Sequence, residues 1–370
     1  MIDRYHPFKE GHSPMKRLVC LLLLLMLPFT ALAETTLVNV PDRKIQVKGY
    51  NEDGTYPVHP LIPGESPTTG LAWDGYYMPM LVQIDNYNGG VKDNHPWGAR
   101  HADIVYESPL HRNGATRISL LFSDYIPDTV GPVRSARVGH VWLWYEWRGG
   151  FLFYGGQEAK GSNIYSEMSK LGYNYRKGAP LFSGIVSASQ PWKKYYTRVK
   201  GLRAPHNVDA NVAAMQALIP ATHEPNLRPF LFTDEVPTVG EPAQKITINW
   251  THSAYVSSLE YDEVVNLYYR SVCGEPYIDK ETGEELAFAN VIIQRTNLRF
   301  NGGSDKPITD NVGRGNCDIF MGGRYIPGYW VRTSMEDRTV YFDHEGNELK
   351  LLRGVTYIAM PDDSIKVTYE

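Results

Sequence analysis

The stretch Pro79-Met80-Leu81-Val82-Gln83-Ile84-Asp85-Asn86 decides the fold of this chain. Its apolar part is short and ends in polar residues, which is typical of a strand buried in a sheet. Two more stretches of this kind follow, at 102–107 (ADIVYE) and at 116–122 (TRISLLF). Because all three are only a few residues long and are rich in β-branched or aromatic residues, they predict strands in the core of a sheet.

The spacing changes to that of a helix at residues 135–147. Four apolar residues recur there at i, i+3, i+4 and i+7 and so share one helical face: Val138, Val141, Trp142 and Tyr145. Gly149-Gly150 can end this helix, and residues 151–154 form the next predicted strand. Strands that alternate with helical stretches predict a layered α/β domain, which we place at residues 79–228.

The pattern changes again after Pro229. Short strands with alternating apolar residues recur at 245–250, 265–270, 291–294, 325–331, 339–342 and 355–360. Turn signals such as Thr282-Gly283 and Glu345-Gly346 separate them. We therefore predict a mainly antiparallel β domain at residues 229–370.

The first 33 residues have the pattern of a secretory signal. Met15-Lys16-Arg17 is a basic start, 18–27 is an apolar run, and Ala31-Leu32-Ala33 has the small residues that signal peptidase requires. We predict cleavage after Ala33 and a secreted or periplasmic protein. The apolar run is too short for the roughly 20 residues of a spanning helix. No transmembrane segment is therefore expected after cleavage.

Residues 34–78 are rich in Pro, Gly and Thr with scattered charge, and this composition predicts an extended arm or linker. Cleavage removes four basic and two acidic residues, so the net charge changes from −4 to −6. An acidic chain of this kind does not have the composition of a nucleic-acid-binding protein. Of the cysteines, Cys273 and Cys317 remain in the mature chain, and an oxidising compartment favours a disulfide between them.

Three arginines are the best candidates for a binding site. Arg134 and Arg137 flank the predicted start of the helix, where free backbone amides already favour an anion. Arg117 begins a predicted strand, and each guanidinium can donate two parallel hydrogen bonds to a carboxylate or a phosphate. The arginines predict an anion-binding pocket, with Asn86 and Asn207 as additional ligand-binding residues. Alternatively, they pair with acidic residues and tie strand ends together.

Two carboxylates suggest a different chemistry. Glu107 and Asp85 each end a predicted strand, and ligands of open α/β sheets bind at the carboxyl ends of strands. One carboxylate as acid and the other as base or nucleophile would suit glycan cleavage. His206 follows a proline in a loop and is a candidate acid or base near neutral pH. Salt bridges, and a buried structural hydrogen bond for His206, are the alternative roles.

Other kinds of site have little support. The sequence has no His-x-x-x-His or Cys-x-x-Cys pair and lacks the glycine signatures of phosphate and dinucleotide loops. We therefore expect no metal and no cofactor.

Several motifs resemble those of the YerB-like family of secreted or lipid-anchored bacterial proteins of unknown function. The most specific is Gly131-Pro132-Val133-Arg134-Ser135-Ala136-Arg137. Other motifs occur in the order of that family: 69–71, 83–86, 102–107, 116–117, 204–207, 279–283, 290–294, 328–330 and 346–357. The resemblance implies a three-layer α/β N-terminal part, a smaller β-rich C-terminal part and an envelope location. It implies no established activity.

Three functions follow from these observations. The first is an exported cell-envelope protein whose arginine-lined pocket binds an anionic group of a glycan, peptide or lipid precursor. The second is a glycan-cleaving enzyme that uses Glu107 with Asp85 or His206. The third is a structural scaffold. The surroundings of the two carboxylates distinguish these functions, because a catalytic carboxylate must face an open cleft.

Overall fold

The computed structural model describes residues 59–86, 95–251, 255–301 and 304–370. Its α-helices are α1 (Val138–Trp147), α2 (Ile164–Lys170) and α3 (Val212–Gln216), and single 3-10 turns lie at Ala99–His101, Tyr175–Lys177 and Lys193–Tyr195.

The strands of the first half are β1 (Met80–Asp85), β2 (Ile104–Pro109), β3 (Thr116–Phe122), β4 (Gly150–Phe153), β5 (Glu158–Ala159), β6 (Ser162–Asn163), β7 (Leu181–Ser183), β8 (Tyr196–Arg198), β9 (Val208–Ala210) and β10 (Leu231–Thr233). Those of the second half are β11 (Glu241–Pro242), β12 (Lys245–Asn249), β13 (Val256–Asp262), β14 (Leu267–Val272), β15 (Glu275–Pro276), β16 (Ala287–Phe288), β17 (Asn290–Gln294), β18 (Asn297–Arg299), β19 (Ile308–Asp310), β20 (Gly313–Met321), β21 (Arg324–Arg332), β22 (Val340–Asp343), β23 (Lys350–Leu352), β24 (Thr356–Ala359) and β25 (Lys366–Tyr369).

Two sheets organise the described part of the chain. The main sheet has the order β11-β21-β20-β17-β24-β2-β3-β1-β4-β7, with β22 paired to β21. The small sheet has the order β15-β14-β13-β12-β25, with β16 paired to β14. In the main sheet β24 pairs in parallel with both β17 and β2. The second-half strands from β11 to β24 and the first-half strands from β2 to β7 therefore form two adjacent blocks of one hydrogen-bonded sheet, joined at β24 and β2. The boundary at residues 228 and 229 stays a prediction.

The period-two pattern of the strands divides the core into two layers. In β1, Met80, Val82 and Ile84 belong to a first core that also holds Ile246 and Leu259 of the small sheet. Leu81 points to the opposite face of the main sheet, into a second core that includes residues of α1. Successive side chains of a strand point to opposite faces, and this alternation predicts the position of β1 from its sequence.

The predicted three-layer α/β fold, with a smaller antiparallel β part behind it, is wrong. The described chain is mostly β, with helices of ten, seven and five residues. The small sheet covers one face of the main sheet, where the prediction placed a layer of helices. The helical spacing at residues 135–147 correctly predicted α1. The error was to infer a whole layer of helices from this one helix.

The end of α1 shows why Gly149-Gly150 follows it. The left-handed residue that ends the helix is Arg148, at φ 52°, rather than a glycine. A Cβ on Gly149 would lie 1.8 Å from the carbonyl oxygen of Pro79, so only glycine permits this approach of two backbones. The glycine is therefore needed for packing against the start of β1, and not for the helix cap.

The predicted disulfide between Cys273 and Cys317 is not formed. Cys317 is buried in the second core, whereas Cys273 packs against the first core. The main sheet lies between these two cores, and a disulfide requires Cα atoms within about 7 Å of each other. Sequence separation alone carried no information about the face on which each thiol lies.

The signal sequence, its cleavage site and most of the predicted arm lie outside the described residues. The last part of the arm is packed rather than extended, since Ser66, Thr68 and Thr69 are buried. Their hydroxyl groups donate to Asp103 and Asp124 near the ends of β2 and β3. No helix of the described residues is long and apolar enough to cross a membrane.

Ending the chain after Arg228 should abolish cooperative folding, because it removes β24 and leaves β2 with an unpaired edge in the middle of the main sheet. Thermal unfolding followed by circular dichroism measures this. Addition of a separate 229–370 fragment should restore a cooperative transition. A cooperative transition of the shortened chain alone would show that its two halves are independent domains.

Candidate functional site

Three segments meet beside the end of β1. Asp85, the last residue of β1, lies opposite Arg117 in the antiparallel pairing with β3. The segment 131–137 runs along β1, because the amide of Arg134 donates to the carbonyl of Gln83 at 2.8 Å. The hairpin of β8 and β9 carries the loop 199–207, and the Nη1 group of Arg134 donates to the carbonyl of Pro205 in it at 3.1 Å.

Asp85 is the common partner at this meeting point. Its carboxylate is hydrogen-bonded to Nδ1 of His206 and lies 3.5 Å from Nε of Arg134 and 3.9 Å from Nη2 of Arg117. Burial raises the pKa of Asp85, but the hydrogen bond from His206 and the charges of the two arginines outweigh it and lower the pKa to about 2. Such a carboxylate is a poor base and serves as a counterion.

We name Arg117, Arg134 and Arg137 the arginine cluster. Burial, together with the charges of Arg134 and Arg137, lowers the pKa of Arg117 to about 9, although Asp85 acts in the opposite direction. Burial and the charge of Arg134 lower the pKa of Arg137 to about 10. The three guanidinium groups therefore share one electrostatic environment.

Several N–H groups of this cluster have no hydrogen-bond acceptor among the described residues. These are Nε and Nη1 of Arg117, Nε of Arg134 and Nε of Arg137. Arg137 donates through Nη1 to the carbonyl of Ala136 at 2.9 Å. Arg117 is only 2% exposed, and a buried donor without an acceptor destabilises the fold unless an anion or water binds it.

His140, which the sequence analysis did not identify, contacts the backbone of the arginine cluster. His140 is buried in the first turn of α1; its Nδ1 accepts from the amide of Arg137 at 3.0 Å, and its Nε2 lies 3.0 Å from Oγ of Ser108. Burial, and then Arg117 and Arg137, hold the pKa of His140 well below its usual value. Arg137 is the N-cap residue of α1 and His140 is the third helical residue, which is the spacing of a capping box. This spacing is the sequence signal that could have identified His140.

His140 and Ser108 do not form a nucleophile pair. Because Nδ1 of His140 accepts from a backbone amide, the single proton of the neutral ring is on Nε2 and is donated to Ser108. The ring therefore has no free lone pair to receive the proton of Ser108. It holds the backbone of Arg137 in place at the start of α1.

Glu107 does not join the arginine cluster. It is fully buried, and its carboxylate lies 2.7 Å from Nη2 of Arg270 in the small sheet. The other side chains that donate to it are Asn86, Thr116, Ser257 and Tyr357. The guanidinium of Arg270 also lies 4.0 Å above the ring of Tyr277. Arg270 is 163 positions from Glu107 in sequence, so no local pattern indicates this pair.

The two asparagines of the predicted site have separate positions. Asn86 donates to Glu107 at 3.0 Å and accepts from Arg270 at 3.3 Å, which places it beside the buried pair. Asn207 accepts from Nη1 of Arg198 at 2.7 Å and donates to the carbonyl of Leu202 at 3.2 Å, which shapes the loop 199–207. Asp85, His206 and the arginine cluster therefore lie together, while Glu107 and Asn86 belong to the neighbouring buried pair.

The arrangement suits an anion better than a cation. Among the described residues, Asp85 lies within 4.0 Å of Arg117 and Arg134, and the charge of Asp305 acts on Arg137. The three guanidinium groups outnumber these two carboxylates, so the cluster keeps an excess of positive charge. No group of three or more His, Cys, Asp or Glu side chains in the described ranges is placed to hold a metal ion.

Asp85→Asn should lower the free energy of unfolding by about 2 kcal/mol at neutral pH, because a folded pKa near 2 is below the unfolded value of about 3.9. A lowered pKa stabilises the fold above the unfolded pKa, and this stabilisation is lost as pH falls towards 2. The difference between the two proteins in urea unfolding should therefore shrink below about pH 4. Asp74→Asn, at an exposed position, is the control. A difference that does not depend on pH would contradict this role of Asp85.

The comparisons with known proteins agree with this fold. YerB of Bacillus subtilis (strain 168), which is named as a lipoprotein candidate, is 27% identical over 268 residues, covering 70% of this chain and 73% of its own. The crystal structure of YerB from Bacillus subtilis matches with a TM-score of 0.67 at 24% identity, over 82% of this chain and 99% of that one, which shows a shared fold.

Two family profiles cover most of the chain. Residues 68–224 match the "Protein of unknown function (DUF3048) N-terminal domain", and residues 246–358 match the C-terminal domain of the same family. The arginine cluster, Asp85 and His206 lie in the first match, and Arg270 lies in the second. The chain therefore belongs to the DUF3048 family.

Proposed function

We propose that this chain is an exported cell-envelope protein whose arginine cluster binds the carboxylate or phosphate group of a glycan, peptide or lipid precursor. The signal pattern of residues 1–33 supports export, as does the naming of YerB as a lipoprotein candidate. The observation that carries the binding function is that Arg117 and Arg134 share Asp85 while several N–H groups of the cluster have no acceptor among the described residues.

The guanidinium groups of the cluster exceed their partners in charge as well as in the number of hydrogen-bond donors. Asp85 is shared by two arginines and by His206, and the nearest distances to the arginines, 3.5 Å and 3.9 Å, are longer than a charge-assisted hydrogen bond. A bound anion would supply the acceptors that Nε and Nη1 of Arg117 lack. The side chains of Arg134 and His206 are 20% and 34% exposed, so the cluster has a side open to solvent.

The contacts of Glu107 argue against glycan cleavage. A general acid must reach the leaving group, but Glu107 is fully buried and its oxygens accept from five side chains. Asp85, with its lowered pKa, is held by positive charge rather than poised to take a proton. Both carboxylates therefore fit the role of counterion.

Arg134→Ala should weaken the binding of inorganic phosphate and of a carboxylate such as succinate by about ten- to a hundredfold, since a hydrogen bond to a charged group contributes about 1.5–3 kcal/mol. Isothermal titration calorimetry at low salt measures this. Arg176→Ala removes an exposed arginine that lies over the ring of Tyr175 and should leave binding unchanged. Arg338 cannot serve as this control, because it is buried against Glu146.

Equal binding by Arg134→Ala and Arg176→Ala would contradict the proposal and favour the scaffold. Asp85→Asn separates these two functions further. If the cluster binds anions, removal of the competing carboxylate should tighten phosphate binding, and phosphate should restore the stability that the substitution removes. If the arginines only neutralise Asp85, phosphate should not change the stability of this variant.

Glu107→Gln should destabilise the protein by about 3–5 kcal/mol, because it leaves the buried Arg270 without a counterion. Urea unfolding measures this loss, with Glu345→Gln at an exposed position as the control. A variant as stable as the control that lost hydrolysis of a cell-wall glycan would instead support the enzyme.

A further inference from the structure

The charge of the chain is distributed unevenly around the arginine cluster. Between Glu167 and Asp209 the sequence contains no acidic residue, although the whole chain has a net charge of −4. The basic residues of this stretch are Lys170, Arg176, Lys177, Lys193, Lys194, Arg198, Lys200 and Arg203. All except the half-buried Lys193 are exposed. A basic stretch of this length in an acidic chain indicates a surface for a polyanion.

The ring of Tyr154 joins part of this stretch to the arginine cluster. The charged groups of Lys193 and Arg198 lie 5.1 Å and 5.4 Å from the centre of the ring. The amide of Tyr154 donates to the carbonyl of Arg134 at 2.9 Å. Tyr154 therefore connects Lys193 and Arg198, which contact its ring, to Arg134, which its backbone amide contacts.

The loop 199–207 forms the second connection. Arg198 is held at its base by the 2.7 Å hydrogen bond to Asn207. Pro205 near its end accepts from Arg134, and His206 next to it contacts Asp85. Lys200 and Arg203 are exposed on this loop, and among the described residues no carboxylate lies within ion-pair distance of either. We name Lys193, Arg198, Lys200 and Arg203 the basic rim.

We propose that the ligand is a linear, phosphate-bearing polymer, with one phosphate group in the arginine cluster and the following ones along the basic rim. This inference rests on the proposed function, which it narrows to a class of ligand. A single small anion would occupy the cluster and leave the rim without a role. A chain of phosphate groups uses both, because each group keeps its negative charge and no carboxylate in the described part of the chain forms an ion pair with the rim.

A membrane surface fits these observations less well. Arg117 is 2% exposed, and a flat layer of lipid headgroups would not reach it. Among the described residues of the acid-free stretch, one large apolar side chain is exposed to solvent, that of Ile185, at 48%. Surface-bound proteins usually insert several apolar or aromatic side chains beside their basic residues.

The test compares inorganic phosphate with a short inorganic polyphosphate on the full mature chain. The double substitution Lys200→Ser with Arg203→Ser should leave phosphate affinity unchanged and weaken polyphosphate binding by about tenfold. The slope of log affinity against log salt for polyphosphate should fall by about one to two. The control, Lys350→Ser with Lys366→Ser, removes the same charge from exposed positions on other strands and should change neither affinity.

The outcomes separate this inference from the function on which it rests. If polyphosphate binds no more tightly than phosphate, or both double variants weaken it equally, the polymer is excluded while phosphate binding at Arg134 still stands. If Arg134→Ala changes neither affinity, the cluster itself is not the site and both proposals fail. Phosphatidylglycerol vesicles are the test for a membrane. If they bind as tightly as polyphosphate, and the Lys200 and Arg203 variant loses both kinds of binding equally, the ligand is a membrane surface and not a polymer.

Discussion

The ion pair of Glu107 and Arg270 is the interaction on which the arrangement of this protein depends. Both side chains are fully buried, and they join β2 at the centre of the main sheet to β14 of the small sheet. Taking two charges out of water carries a large desolvation cost, which the set of hydrogen bonds donated to Glu107 helps to offset. Ser257 of β13 and Tyr357 of β24 complete that set, so four strands must be in register for the pair to form.

The same strand ends position the arginine cluster. Ser108, next to Glu107, lies opposite Arg117 in the sheet and accepts a hydrogen bond from Nε2 of His140. Asn86, next to Asp85, donates to Glu107. Two charged sites therefore lie side by side and differ in their balance of charge. Glu107 has one guanidinium partner, whereas Asp85 has two within 4.0 Å and a third close by in the cluster. Nε and Nη1 of Arg270 also lack an acceptor among the described residues, so the two sites differ in the ratio of guanidinium groups to carboxylates and not in unused donors alone.

This difference matters because the fold by itself says nothing about function. The likeness to YerB extends over most of both chains and shows a shared architecture, but architectures of this kind support unrelated activities. The case for an anion therefore depends on individual N–H groups of Arg117, Arg134 and Arg137 that have no acceptor among the described residues. It depends equally on the uneven distribution of charge in a chain that is acidic as a whole.

The sequence alone determined the features that have a local period or a local motif. The short apolar runs at 80–85 and 116–122 and the helical spacing of 135–147 predicted two strands and a helix, and the structure confirms these elements. It also shows that both faces of the two strands are buried, and that Trp142 is the one residue of α1 that is not buried. The sequence also brought Asp85, His206 and the three arginines forward as candidates. Tertiary structure alone decided which face of the sheet each cysteine occupies, that a second sheet rather than helices covers the first, and that Glu107 pairs with Arg270. Those outcomes depend on contacts between residues far apart in the chain, where the choice of partner follows from burial and from the cost of an unpaired charge, and no local pattern records either.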